Sequence, residues 1–251
     1  MNNIELNILV PAFVAGLLIL ATHIPLGMKV LARGIIFADL AVAQIAGLGV
    51  IIAGFLEVTE YPLAVQIIAA SSAILGAILL AIIERKLPEV QEACIGLLFV
   101  LAASGSILLM NHDTHTGEHL QNLLVGQILW VSNNQLFGTL ILTAVLLASW
   151  RVLHKRLGSI GFYILFALAV TASVQLVGVY LVFASLIIPA LATYKIQQHR
   201  MLTAGLVGIT GYAVGLWLSV WADLPSGATI IWAMAIAGAL VMLKKRGNLT
   251  L

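Results

Sequence analysis

The chain has 251 residues, of which 62% are hydrophobic and 9% charged, with a net charge of +2 and a mean hydropathy of +1.12. A water-soluble domain cannot hide that much apolar surface, so the composition excludes a soluble enzyme and points to a polytopic membrane protein. The single cysteine, Cys94, rules out an internal disulfide and a thiolate metal cluster, and is expected to act as a small buried hydrophobe.

Met1-Asn2-Asn3-Ile4-Glu5 lacks the basic start of a cleavable signal peptide, so the first apolar run is expected to be a retained span. A spanning helix needs about 20 apolar residues. On that measure the chain is an all-α transmembrane helical bundle, a single transmembrane domain over 1–251. Spans are expected near 8–31, 35–56, 61–83, 90–110, 133–152, 159–177, 178–194, 202–221 and 226–243. The count is nine, or eight if the pair meeting near Gly178 is one element.

Lysine and arginine fall at Lys29, Arg33, Arg85, Lys86, Arg151, Lys155, Arg156, Lys195, Arg200, Lys244, Lys245 and Arg246. With nine alternating spans all of them lie on one side, which the positive-inside rule makes the cytoplasm. The N-terminus is then outside and the C-terminus cytoplasmic. Glu57, Glu60, Asp113, Glu118 and Asp223 fall on the other side. Residues 118–132 are too polar to span and read as an amphipathic or re-entrant segment at the outer face.

An acid inside a span is costly and therefore a functional candidate. Asp39 is such a residue, one turn into the second span. At ~100° per residue it shares a face with Ala43 and Ala46, while Gln44 lies about 140° round and about 7.5 Å along the axis. Both could line one cavity, or Asp39 could brace the cytoplasmic end near Arg33. His23, in the first span, could bind a metal, relay a proton or simply hydrogen-bond to a neighbouring carbonyl, the plainest of the three. Gln66, Ser71, Ser72, Ser104, Ser106 and Gln175 are accounted for by hydrogen bonds between helices.

The loop Asn111–His119 places His112, Asp113, His115, Glu118 and His119 close together. Imidazoles and carboxylates suit a borderline divalent ion such as zinc, so this loop is a candidate outer metal-capture site; a hydrated polar loop is the alternative. In Val177–Thr193, Gly178, Ala184, Ser185 and Ala190 allow close helix approach, and Pro189 bends or breaks the helix before it. Such a break is tolerated only where protein or water satisfies the freed carbonyls, so the span is expected at the centre of the bundle. Asp223-Leu224-Pro225-Ser226-Gly227 reads as a turn, with Ser226 capping the last helix. No Gly-x-Ser-x-Gly, His-Glu-x-x-His or Gly-x-x-x-x-Gly-Lys motif occurs. Bond-making chemistry is thus unsupported, and ATP, if it drives the protein, must act on another chain.

These stretches resemble the membrane permease subunit of the bacterial zinc, manganese or iron(II) importers of the ATP-binding-cassette type. The resemblance rests on Arg33–Asp39 through Gln44 to Gly49, on Val177-Gly178 with an apolar run ending in Ile188-Pro189-Ala190, and on Asp223-x-Pro225-x-Gly227-Ala228-Thr229, with Leu124–Leu129 in support. It implies a permease of the bacterial inner membrane, pairing with a second copy of itself, an ATP-binding subunit and an extracytoplasmic metal-binding protein. Nucleic acid is not among the implied partners. No cofactor is held permanently; the metal ion is cargo, passing Asp39, Gln44, Ser185 and Pro189. Gly178, Pro189, Asp223, Pro225 and Gly227 are the family-motif positions.

Two departures stand out. The family has a histidine four residues after the aspartate; here that position is Ala43, and Gln44 stands nearest. The cytoplasmic stretch 151–158 is also shorter than in relatives, which shifts coupling to other inner loops, including that near Lys195. The alternatives are a permease of the same type for a metal chelate or another small solute, a carrier or channel independent of ATP, and a purely structural membrane subunit.

Overall fold

The computed structural model describes residues 3–56, 58, 60–110 and 128–247, without the side chains of 3–6, 110, 151–157 and 245–247. Its helices are α1 (Asn3–Arg33), α2 (Ala38–Phe55), α3 (Pro62–Lys86), α4 (Gln91–Met110), α5 (Asn133–Ala192), α6 (Arg200–Ala222) and α7 (Ser226–Gly247). Single 3-10 turns stand at Pro88–Val90 and Ile128–Trp130. Among the described residues there is no strand, as expected for an all-α chain.

Among the described residues seven segments are long and apolar enough to cross a membrane: Asn7–Arg33, Ala38–Phe55, Pro62–Lys86, Pro88–Leu109, Gly158–Ala192, Arg200–Ala222 and Ser226–Lys244. Six coincide with expected spans. The expected count of nine is not supported, for two physical reasons. In the stretch 133–152 the apolar run between Gln135 and Arg151 is only Leu136–Trp150, short of the ~20 residues a crossing needs. The expected 178–194 span is the end of the Gly158–Ala192 segment. Past Gly178 the helix has 14 residues, from 179 to 192, or about 21 Å against a core of about 30 Å.

The boundary at Gly178 is nonetheless real. α5 runs for 60 residues, and inside it Gly158 and Gly178 have φ of 56° and 78°. This left-handed backbone is open to glycine at little cost and interrupts the α-helical path. α5 begins with a reciprocal cap. The Gln135 N–H donates to Ser132 Oγ (3.3 Å), and the Ser132 N–H donates to Gln135 Oε1 (2.9 Å).

The chain forms two compact units. The first contains α1, α6, α7 and α5 both up to Ala144 and from Leu176 onward. Its helices meet through small residues, as in other membrane bundles where apolar area alone gives no driving force. Gly16 lies under the Tyr212 ring, Gly208 beside Leu20, and Gly215 against the Ile230 backbone. Gly27 lies against the Leu186 carbonyl, with Ala190 Cβ 3.4 Å from where a Cβ would stand. The second unit contains α2, α3, α4 and residues 145–175 of α5. A Cβ at Gly49 would stand 2.6 Å from Ser72 Oγ, and one at Gly76 2.8 Å from Ile45 Cδ1, so α2 and α3 are closely apposed. Phe162 packs on Tyr163 edge-on and stacks with Phe166, at 5.3 and 5.8 Å between centroids.

The turn between α6 and α7 is held by the end of α6. Asp223 is left-handed (φ 51°), the Leu224 N–H donates to the Ser219 carbonyl (2.9 Å), and Ser219 Oγ donates back to the Leu224 carbonyl (2.6 Å). The cap expected of Ser226 is not made. Ser226 is already the first helical residue, and the Pro225 carbonyl accepts the Thr229 N–H (3.1 Å), placing Pro225 at the cap.

Three glycines give testable contrasts. Gly27→Ala pushes a methyl into the rigid Leu186 carbonyl and should cost about 1–3 kcal/mol or more. Gly96→Ala, where a Cβ meets nothing within 4 Å, should be neutral or slightly stabilising. Thermal unfolding of the two purified variants in detergent checks the contrast. Gly178→Ala should cost about 1–2 kcal/mol by the same assay, since alanine must adopt the left-handed backbone.

Candidate functional site

α2 places Asp39 in its first turn, where a carboxylate complements the helix dipole. Asp39 is 1% exposed, and its carboxylate reaches the backbone N–H of Leu40 while Oδ1 is buried with no hydrogen-bond partner. A buried carboxylate oxygen without a partner is costly, and such an exception requires either an ion or a functional reason. A bracing contact at the entry to α2 is made by a residue the sequence did not single out. Glu92, at the start of α4, accepts the Phe37 N–H at 3.1 Å at the entry to α2, and its other oxygen, Oε2, is buried and unpartnered too.

Gln44 is half-buried, and one turn beyond it Leu48 lies beside Gly105 of α4. At ~100° per residue Gln44 belongs to that α4-facing row, and Asp39 stands on a different face of α2. In the same unit Gln66 of α3 donates to Gln175 of α5, and Gln91 Nε2 donates to Tyr163 Oη at 2.9 Å. Gln66 and Gln175 thus form the interhelical bond expected of them, as a pair with each other. Ser104 and Ser106 instead turn back onto carbonyls of their own helix, at Leu101 (3.2 Å) and Ala102 (2.9 Å).

The first unit holds Ser185, Pro189, Gly178, Asp223, Pro225 and Gly227. Ser185 is fully buried, and its hydroxyl shares a 2.9 Å hydrogen bond with Tyr212 Oη of α6. Pro189 is buried and has no N–H, so the Ser185 carbonyl one turn earlier loses its helical donor. Thr193 Oγ1 donates to the Pro189 carbonyl at 2.7 Å, closing the end of α5. The stretch is buried, as expected: Val177–Val179, Leu181, Val182 and Ala184–Ile187 are all buried. Asp223 and Pro225 are exposed in the α6–α7 turn, and Gly227 is buried behind them.

Tyr212 was not foreseen as a partner. It sits amid the apolar run of α6, and only the Gly16 below its ring and the Ser185 beside its hydroxyl explain its place. The candidate capture residues His112, Asp113, His115, Glu118 and His119 lie outside the described residues, as does most of the segment 118–132. Among the described residues no three His, Cys, Asp or Glu side chains cluster as a metal site.

Comparison with known proteins gives this architecture its context. A chain of the PsaBC complex from Streptococcus pneumoniae, solved with an Fab, shares the fold with a TM-score of 0.72 at 22% identity, over 94% of this chain and 89% of that one. The manganese transport system membrane protein MntC of Halalkalibacterium halodurans is 24% identical over 90% of this chain and 84% of its own length. A Haemophilus influenzae protein named as a probable iron transport system membrane protein is 29% identical over 51% of this chain and 55% of its own. The profile of the ABC 3 transport family matches residues 5–163 and 148–245, nearly the whole chain. With seven apolar helices and that match, the chain is a multi-pass membrane protein that belongs to the ABC 3 transport family.

Proposed function

We propose that this chain is the permease subunit of an ATP-driven importer of divalent transition-metal ions, zinc or manganese ahead of iron(II). Asp39 carries the reading: a carboxylate inside a membrane span, 1% exposed, with one oxygen lacking any protein partner. A bare carboxylate oxygen in low dielectric is a strong attractor for a hard or borderline cation passing by. Family membership and relatives named for manganese and iron transport support the cargo class. The whole chain acts as one permease domain in the bacterial inner membrane. It pairs with a second copy, takes energy from a separate ATP-binding subunit and receives metal from an extracytoplasmic binding protein. Ser185 and Pro189 contribute a kinked polar stretch to the path, and residues 112–119 collect metal at its outer end.

Gln44 favours one second reading, the same machinery carrying a metal chelate. An amide is a poorer zinc ligand than the imidazole relatives carry nearby, and the Gln66–Gln175 pair adds further amide character to the unit.

Orientation follows from charge. With seven alternating spans, nine of the twelve basic residues fall on one side, which supports a reading with the N-terminus outside and the C-terminus in the cytoplasm; Arg151, Lys155 and Arg156 are the exceptions.

Three measurements bear on this. In a strain deleted for the chain and for other metal importers, wild type should restore uptake of one radiolabelled metal, and Asp39→Asn should lower it by about tenfold or more. Unchanged uptake in the mutant removes Asp39 from the path; chelate uptake lost in place of free-ion uptake selects the second reading. Gln44→His should raise zinc uptake relative to manganese in direct competition. In a Cys94→Ser background, Leu153→Cys should react with a membrane-impermeant maleimide from outside if seven spans hold; protection from outside adds a crossing before it.

A further inference from the structure

His23 is another buried polar group with an unpartnered atom, and Asp39 chemistry does not use it. It is fully buried in α1. Its Nδ1 lies 3.0 Å from the Ile19 carbonyl and 3.0 Å from Thr22 Oγ1. The carbonyl can only accept, and the Thr22 hydroxyl donates to that same carbonyl at 3.0 Å. Nδ1 therefore carries the hydrogen. Nε2 is left with a bare lone pair, buried and without a hydrogen-bond partner. A histidine whose Nδ1–H is tied to a backbone carbonyl while Nε2 is free is oriented as metal-binding imidazoles are.

The packing places His23 on the face of α1 that meets α5 and α6. Gly16, Leu20, His23 and Gly27 fall within about 60° of one another at ~100° per residue. Three of the four touch α5 or α6: Gly16 meets the Tyr212 ring, Leu20 meets Gly208, and Gly27 meets the Leu186 carbonyl. His23 lies in the middle of this row, one turn before Gly27, whose partner Leu186 follows Ser185. The Ser185 and Tyr212 hydroxyls have only each other, and the Ser185 carbonyl has lost its donor to Pro189.

We propose that His23 Nε2, the Ser185 and Tyr212 hydroxyl oxygens and the Ser185 carbonyl form a transient binding site for a borderline divalent cation within the first unit. One imidazole with oxygens around it suits manganese(II), iron(II) or zinc(II) better than calcium or magnesium. All four donors are neutral, so nothing compensates the ion's charge. The ion is held weakly and keeps water, as a site that must also release its ion requires. The proposal rests on the permease reading only for how the ion arrives; binding is measured without transport.

The test uses the full chain purified in detergent, with histidine isotope-labelled at the imidazole nitrogens and observed by NMR. The six histidines are His23, His112, His115, His119, His154 and His199, and His23→Gln identifies the His23 signal by its loss. A chain with the other five changed to Asn gives a single signal and serves if His23→Gln does not fold. Zinc(II) should move the His23 Nε2 resonance to a metal-bound position, and manganese(II) should broaden it. Tyr212→Phe, which keeps the ring on Gly16, should raise the zinc concentration needed several-fold. A His23 signal unmoved by either ion, or moved only by acid, overturns the proposal. Metal uptake in cells is a separate readout, so failure of the importer reading and failure of this site are told apart.

Discussion

Inside hydrocarbon no water stands ready to satisfy a polar group, and every N–H, carbonyl and side-chain dipole must find its partner within the protein. That constraint is met in the described spans by helices, because a helix satisfies its own backbone. It also explains the local polar economy of this chain: Thr22, Ser104, Ser106, Ser149 and Thr193 return their hydroxyls to carbonyls three or four residues back. Against that background the unsatisfied groups are informative. Asp39 Oδ1 and His23 Nε2 are among the described side-chain atoms that break the rule, with Glu92 Oε2, Thr171 Oγ1 and Arg200 Nε, and the Ser185 carbonyl lacks the helical donor that Pro189 cannot supply.

The two compact units obey the rule in different ways. The first relies on close approach: Gly16, Gly27, Gly208 and Gly215 bring backbones and rings together, and Ser185 with Tyr212 adds a hydroxyl pair between α5 and α6. The second adds amides and a carboxylate: Gln66 with Gln175, Gln91 with Tyr163, and Glu92 over the opening of α2. An amide pair between helices contributes about 0.6–2 kcal/mol in a membrane setting. It also fixes rotation about each helix axis more sharply than apolar contacts do.

Hydropathy made most of the fold legible, because a crossing leaves a run of about 20 apolar residues that no other structure needs. It failed where length and continuity decide. The sum over Gly158–Ala192 does not reveal that 14 residues beyond Gly178 are too few to cross alone, although Gly178 itself was recognisable as a break. Three amides at 133–135 likewise trim an otherwise apolar stretch. Asp39, Ser185 and Pro189 were legible singly, since a charge, a hydroxyl and a proline stand out in apolar sequence. Their partners were not. Tyr212 is 27 residues from Ser185, and Glu92 is 55 from Phe37; pairings of that kind leave no period in the sequence. For His23 the sequence reached the Nδ1–carbonyl bond but not the exposed valence on the other side of the ring.

The contact between Gly27 and the Leu186 carbonyl also limits how α1 can move. A helix turns about 100° and advances about 1.5 Å per residue, so a screw motion by one step brings the Cβ of Leu26 or Met28 toward the carbonyl that only glycine admits. Screwing past this point is opposed, while tilting about it is not. Gly27 is therefore a fulcrum, and any rearrangement of this helix pair is a lever motion whose amplitude grows with distance from it, greatest at the far end of α1.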